Sequence, residues 1–389
     1  MISGIIAEFN PFHNGHAYLL EQARKYSDGV IAVMSGNLVQ RGDIAIYPKH
    51  IRAYSALKNG ADIVIALPAG WSMSVAENFA FGGISLLKNT KVVDRVVFGC
   101  ETASPSLLCE TANIINSHDF TNVVKSFLST GISYANARQK AVESFSQECS
   151  EILSSPNNIL AVEYICAINK LNFTTEIFPV KRIGVGHDSN KTCNNFSSAS
   201  NIRELIRKNC NYSDFVPSNL LSTMNESEFA DISIIDASLM FKLRSLTLEE
   251  IKLLPDISEG IENRIFQAIK DAKSLNDLCM RVKTKRYTYS RIKRIILSAC
   301  FSIDNSYLKK QPPYIQVLGI NKKGEEILSH IIKKSDIPVV VSNREISKLE
   351  GFAKSVFEKE AHIDDLYGLS FKTYKKSGTA YTLPLVKVD

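Results

Sequence analysis

Two histidines bracket a glycine in Glu8-Phe9-Asn10-Pro11-Phe12-His13-Asn14-Gly15-His16, giving the core pattern H-x-G-H. The segment falls where an apolar, β-rich run from Ile2 to Phe9 gives way to a helical pattern from His16 to Tyr26. A glycine at such a junction lets a phosphate approach the backbone, and a helix start offers free N–H groups and the positive end of its dipole. Two imidazoles add donors for oxygens whose charge grows during phosphoryl transfer. The chemistry implied is electrostatic handling of a nucleotide's phosphates, by a motif unlike a P-loop. Two histidines and a glycine at this spacing arise by composition in on the order of one chain in a hundred. The position after a first strand therefore carries as much weight as the letters.

The elements that must position this motif form a βαβ series. Apolar runs at Ile2 to Phe9, Gly29 to Met34, Ala61 to Leu67 and Asp94 to Gly99 alternate with helical segments at His16 to Tyr26, Pro48 to Asn59 and Ser74 to Lys88. Strands apolar along most of their length suit a parallel sheet covered on both faces, so the fold class expected is α/β with a doubly wound, Rossmann-like sheet. Ligands then belong at the C-terminal ends of the strands. A helix from Ser155 to about Leu171, a strand from Glu176 to Arg182, a polar Gly/Ser/Asn loop and a helix near Ser200 follow. The sheet is expected to end there. Residues 1–215 form one expected domain, and 216–389 a mainly helical C-terminal region with a small α/β element after Pro312, including a helix over Gly324 to Lys334 and a strand over Ile337 to Val341.

Composition excludes disorder, collagen-like repeats and a disulfide scaffold: 389 residues, 45% hydrophobic and 22% charged, are ordinary for a globular chain. Eight cysteines, including Cys100 and Cys193, never approach closer than nine positions, so no C-x-x-C motif exists and reduced thiols are expected. With no basic leader and no run of about 18 apolar residues, the expected location is the cytoplasm, with no membrane contact. Net charge is +6, unevenly divided: residues 1–215 hold 19 basic and 18 acidic side chains, the remainder 27 and 22. Much of the excess sits in Arg281 to Arg294, with seven basic residues, no acidic ones and two tyrosines. Lys285, Arg286, Arg291, Lys293 and Arg294 could neutralise RNA phosphates while Tyr287 or Tyr289 stacks on an unpaired base. A basic amphipathic helix packed on its Ile and Leu side is the other reading. Lys309-Lys310, Lys322-Lys323 and Lys375-Lys376 read as solvated charge.

The H-x-G-H motif in this place resembles the nucleotidylyltransferase superfamily, whose members bind ATP at such a helix end. Ser197-Ser198-Ala199-Ser200-Asn201-Ile202-Arg203 resembles that superfamily's second signature. By that resemblance Arg203 reaches the β and γ phosphates and Ser200 holds an oxygen; a capped helix with a solvated arginine is the alternative. Further blocks, Met34–Gly42, Phe98–Glu101, Ser155–Leu160, Lys181-Arg182 and Thr284–Arg294, resemble the bacterial tRNA(Met) cytidine acetate ligase family, and together with the motif they span Glu8 to Arg294. The resemblance implies that acetate and ATP form acetyl-adenylate and pyrophosphate, and that the acetyl group passes to N4 of the wobble cytidine of elongator tRNA(Met). It assigns ATP contacts to Ala7, Glu8, Phe9, Asn10, Pro11, Phe12, His13, Asn14, Gly15, His16, Gly99, Asn157, Arg182, Ser200 and Arg203. Gly99 ends a strand where a side chain would meet a nucleotide, Asn157 can offer an amide to adenine or ribose, and Arg182 ends a strand facing a phosphate. A turn glycine, a capping asparagine and a surface arginine are the plain alternatives. Cys100 stands where the family pattern has serine, and Phe9 where tyrosine is common.

His13, His16 and Arg203 are the catalytic candidates, acting by position and charge on an in-line attack. Mg²⁺ is expected to accompany ATP, without a dedicated metal site on the protein. Trp71 is available to line an acid pocket or to fill core. A small-molecule nucleotidylyltransferase joining AMP to a phosphorylated metabolite without RNA is the rival reading, and a noncatalytic tRNA-binding protein the third.

Overall fold

In the computed structural model the first strand, β1 (Ile2–Ala7), lies inside a mostly parallel sheet. The structure describes residues 1–183, 195–306, 308 and 310–389; Cys193, Lys309 and most of the polar loop after Arg182 lie outside them. Helix α1 (Asn14–Lys25) follows β1 and leads to β2 (Gly29–Ser35), the short strands β3 (Leu38–Val39) and β4 (Asp43–Ile44), and helix α2 (Lys49–Lys58). Then come β5 (Ile63–Leu67), α3 (Ala76–Asn89), β6 (Arg95–Cys100), α4 (Pro156–Lys170), β7 (Glu176–Lys181) and α5 (Ala199–Arg207). The strands and helices expected between Ile2 and Arg182 are all present, with ends close to those read from the sequence. Every residue of β2 and β5 is buried, as strands covered on both faces require.

Five of these strands run parallel in the order β5-β2-β1-β6-β7, so chain progression reverses between β1 and β6. That reversal opens a crevice at the strands' C-terminal ends, the place where doubly wound sheets hold ligands. The motif after β1 therefore sits at the mouth of the crevice.

The sheet does not end with β7 and the α5 region, which corrects the sequence reading. Strand β8 (Ile315–Asn321) pairs antiparallel with β5, and β9 (Val339–Val340) and β10 (Val386–Val388) pair parallel with β8. Buried Asp62 joins the two parts: its carboxylate accepts from the Val30 amide at 2.7 Å, both Arg24 guanidinium nitrogens at 2.8 Å and Asn321 Nδ2 at 2.9 Å. A buried carboxylate is retained only with such partners. Asp62 and Asn321 stand 259 positions apart in the chain, and no local pattern signals their meeting.

Between these parts lies a helical layer with α6 (Asp236–Arg244), α7 (Ile261–Asp271), α8 (Leu275–Val282) and α9 (Tyr289–Cys300). Leu243, Ile265, Leu278, Ile292 and Ile296 form its own apolar core, which Leu38 and Ile44 of the β3–β4 hairpin join. Helix α10 (Lys322–Lys334) follows β8, and α11 (Gly351–Tyr367) packs under the hairpin through contacts described below. Among the described residues no helix is long and apolar enough to cross a membrane. The seven described cysteines are free thiols.

Candidate active site

A cavity of about 690 Å³ occupies the crevice. Its floor is built by the motif. His13 caps α1 from an extended backbone, and its Nδ1 accepts the Gly15 amide at 3.0 Å. In the neutral ring that bond leaves the proton on Nε2. The His16 ring stacks on His13 with centroids 3.8 Å apart. Beneath them the buried rings of Phe9 and Phe12 stand 5.0 and 5.6 Å from His16, fixing its plane. A Cβ at Gly15 would lie 2.8 Å from His13 Cε1, so the motif's glycine also makes room for its own histidine.

The chain around the motif is held by backbone contacts. Buried Asn10 accepts the Ile46 amide at 2.8 Å, and the Asn10–Pro11 peptide is cis. Asn14 Nδ2 donates to the Asn195 and Asp214 carbonyls at 2.8 and 2.9 Å, tying α1 to the segment around α5. Arg52, fully buried in α2, donates to the carbonyls of Glu8, Ser35, Gly36 and Tyr47, which fixes the ends of β1 and β2 together. Its pKa falls to about 10, chiefly through burial. Glu8 accepts the Gln40 amide at 2.7 Å; burial pushes its carboxyl upward against that bond and the nearby arginines.

Arg203 closes the far side of the floor. Its guanidinium donates to the Asn10 carbonyl at 2.7 Å and to Ser200 Oγ at 3.2 Å, and burial lowers its pKa. These partners are neutral, so among the described residues the positive charge is oriented without a direct ion pair, while Asp43 and Glu8 act on it from a distance. Ser198, not Ser200, caps α5, accepting the Asn201 amide at 3.1 Å. Asn157 donates to Glu101 at 2.6 Å, and Asn158 accepts the Glu101 and Thr102 amides at 2.9 Å. A Cβ at Gly99 would meet only Arg182 Cγ at 3.5 Å, an ordinary contact, so protein packing alone does not demand glycine there.

Of the residues proposed from sequence, Ala7, Glu8, Asn10, His13, Gly15, His16, Gly99, Asn157, Arg182, Ser200 and Arg203 line the cavity. Phe9, Pro11, Phe12 and Asn14 do not; the two phenylalanines support it from the core. Cys100 is also off the lining, and burial raises its thiol pKa to about 12, so the serine-to-cysteine departure falls outside the cavity wall. Trp71 is fully buried, with its indole N–H on the Lys310 carbonyl at 3.1 Å, and belongs to the core.

The roof was less legible. Gln40, Arg41 and Asp43 of the hairpin, with Lys283, Thr284, Thr288, Tyr289, Ser290 and Lys293 of the helical layer, line the same cavity. Gly42 makes this contact: its φ is +72° and a Cβ would lie 2.5 Å from the Arg294 amide nitrogen. Behind the hairpin, Asn37 donates to Asp364 at 2.8 Å and Lys49 pairs with Asp364 at 2.6 Å, both buried. Neighbouring Glu360 accepts the Ala69 amide, and burial raises its pKa to about 7.

Much of the basic segment is internally paired. Arg286 and Arg291 share Glu259 at 3.1 Å each, Lys293 pairs with Asp43 at 2.8 Å, and Arg294 with Asp256 at 2.7 Å. Tyr287 is buried, with its hydroxyl on the Glu259 carbonyl at 2.6 Å and the Arg291 guanidinium over its ring, so it offers no open stacking face. Lys283 and Lys285 are exposed, and among the described residues neither meets a carboxylate. The amphipathic reading thus holds for the buried side of α9, while the cavity side keeps polar and cationic groups.

Residues 1–381 match the model of the HIGH nucleotidyl transferase family. The chain is 37% identical over 403 residues to a tRNA(Met) cytidine acetate ligase of Thermoanaerobacter sp. (strain X514), covering all of both chains. It is 40% identical over 361 residues to the protein of that name from Clostridium kluyveri (strain ATCC 8527), covering 87% of this chain and 88% of the other. The chain belongs to the HIGH nucleotidyl transferase family. A crystal structure of Thermotoga maritima TmcAL bound with alpha-thio ATP superposes with a TM-score of 0.90 at 30% identity over the full length of both chains. In this HIGH nucleotidyl transferase the hairpin contribution was missed as chemistry because Met34–Gly42 carries no paired reactive side chains; only its resemblance to the family marked it. Within Lys283 to Ser290 the sequence pointed to Tyr289 as a base-stacking candidate, but a charge run does not say which side chains face the cavity, so Lys283, Thr284, Thr288 and Ser290 were not assigned to it.

Proposed function

We propose that this chain is an ATP-dependent acetate ligase acting on elongator tRNA(Met). An acetate oxygen attacks the α-phosphorus of ATP, the bond to the β-phosphate breaks, and pyrophosphate leaves. The N4 amine of the wobble cytidine then attacks the acetyl carbon, the bond to AMP breaks with its electron pair going to AMP, and one amine proton passes to solvent. The product is N4-acetylcytidine. One observation carries this reading: the H-x-G-H floor, Arg203 and the basic helical layer open into a single cavity. A rival without RNA needs no such roof.

His13 Nε2–H and His16 supply donors to nonbridging oxygens, and Arg203 offsets charge on the departing pyrophosphate. These groups hold and orient; none forms a covalent bond. Among the described residues no three His, Cys, Asp or Glu side chains converge as a metal site. Glu8 and Asp43, the acidic residues of the lining, already accept the Gln40 amide and pair with Lys293. Magnesium is taken to enter with ATP, on phosphate and water oxygens, as is usual for nucleotide phosphates. The site of action is the cytoplasm, where this tRNA is charged.

The test is incubation of purified protein with ATP, labelled acetate and either total or elongator methionine tRNA. Label in RNA, dependent on ATP and accompanied by AMP release, is the expected result. An AMP conjugate of a phosphorylated metabolite formed without RNA would replace this reading with the nucleotidylyltransferase one. Binding of tRNA without ATP turnover would leave a noncatalytic binder.

A further inference from the structure

The cavity holds two kinds of wall, and the proposed reaction needs two substrates to meet in it. The floor presents donors suited to phosphates. On the roof stands one aromatic ring of the helical layer, Tyr289, at the first turn of α9. Its ring is half-buried: it packs on the helical core, and it also lines the cavity. Both ends are held. The hydroxyl donates to Asn276 Oδ1 at 2.8 Å, and the Lys293 ammonium, itself paired to Asp43, lies over one face of the ring at 5.8 Å from its centroid, so a base would stack on the other face. A pre-set ring lowers the ordering cost of stacking. Lys283, exposed and without a carboxylate partner among the described residues, lines the same wall.

We propose that Tyr289 is the stacking platform for the acceptor nucleobase of the RNA, with Lys283 contacting its flanking phosphate and Lys293 fixing the ring. The inference rests on the ligase reading above and deepens it by naming where the second substrate docks. An aromatic face beside cations is the usual device for holding an unstacked base. Tyr287, two positions earlier, cannot serve: it is buried, its hydroxyl is bound to the Glu259 carbonyl, and it does not line the cavity. The Asp43–Lys293 pair also links this platform to the hairpin that carries Gln40 and Arg41 over the nucleotide floor.

The experiment compares Tyr289→Ala, Tyr289→Phe and Lys283→Ala in two assays on the full chain. One measures acetate-dependent exchange of pyrophosphate into ATP without RNA; the other measures labelled acetyl transfer to an unmodified elongator methionine tRNA transcript. Tyr289→Ala is expected to lower transfer about tenfold or more, the scale of a lost base–aromatic stack, while exchange stays within about twofold. Tyr289→Phe keeps the ring and should retain most of the transfer, which separates stacking from general damage. Lys283→Ala should reduce the salt slope of tRNA binding by about one. If Tyr289→Ala weakens ATP binding and exchange as much as transfer, the ring is a wall for the nucleotide and the proposal is overturned. Unchanged transfer in Tyr289→Ala would overturn it as well. Absence of exchange in the wild-type protein would instead sink the ligase reading itself.

Discussion

Floor and roof of the cavity use charge in opposite ways. On the floor, Arg203 is held by a carbonyl and a hydroxyl, and His13 by a backbone amide, so polar neighbours orient these groups without, among the described residues, ion-pairing Arg203. On the roof, Arg286, Arg291, Lys293 and Arg294 are each paired with a carboxylate that joins loops and helices to one another. Charge in a sequence therefore does not measure charge offered to a ligand. What counts is whether a neutral dipole or a carboxylate occupies the other end of the hydrogen bond, since a carboxylate cancels most of the field that a polyanion would feel.

The largest break of this contrast is expected at the floor. His16→Ala should lower acetate-dependent pyrophosphate release by about 100-fold or more while circular dichroism and melting temperature stay near wild type, because Phe9 and Phe12 are packed in the core beneath it. A variant with wild-type turnover would remove the floor from the chemistry. Arg203→Lys should cost about tenfold in the same assay, since a lysine cannot hold the Asn10 carbonyl and Ser200 together while facing phosphate.

Roof variants should read out as stability before they read out as chemistry. Gly42→Ala is expected to lose more than about 1 kcal/mol in denaturant unfolding, because φ is positive and the hairpin touches α9 there. An unchanged midpoint would mean that the contact is not tight. Glu360→Gln addresses the buried polar cluster behind the hairpin. Its folded pKa, near 7, is raised by burial above the unfolded value, so the folded state binds more protons between those two values and stability falls as pH rises through the window. The variant should therefore gain melting temperature relative to wild type at pH 8 and little or none at pH 4.5; the same offset at both would exclude Glu360 as the titrating group. The smallest effect separates paired from unpaired cations: Lys285→Ala should lower the salt slope of tRNA binding by about one with no change in stability. Arg294→Ala should do the reverse, destabilising the fold through unpaired Asp256 with little change in slope.

The βαβ series was readable because each of its strands and helices, from Ile2 to Arg182, carries its own apolar period and turn signals. H-x-G-H was readable for a similar reason: its parts lie within four positions, and one helix end brings them together. Arg203 needed the second signature, and the structure adds that its guanidinium is pinned by the motif's own Asn10. The roof was not readable in this way. Tyr287 and Tyr289 are equivalent as letters, and only the helix start and the Glu259 carbonyl turn one inward and leave the other on the cavity. The same holds for β8, whose apolar run fits any sheet edge until Asp62 and Asn321 meet.

By itself, the sequence determined the parallel sheet order's raw material, the phosphate-handling motif and the place of the basic segment along the chain. Tertiary structure alone decided that this segment roofs the same cavity, that most of its charges are paired and that the sheet takes its last strands from the stretch between Ile315 and Val388. The reason is range. Periodicity and capping act between near neighbours in the chain, whereas ion pairs such as Asp43 with Lys293, 250 positions apart, exist only after the chain has folded.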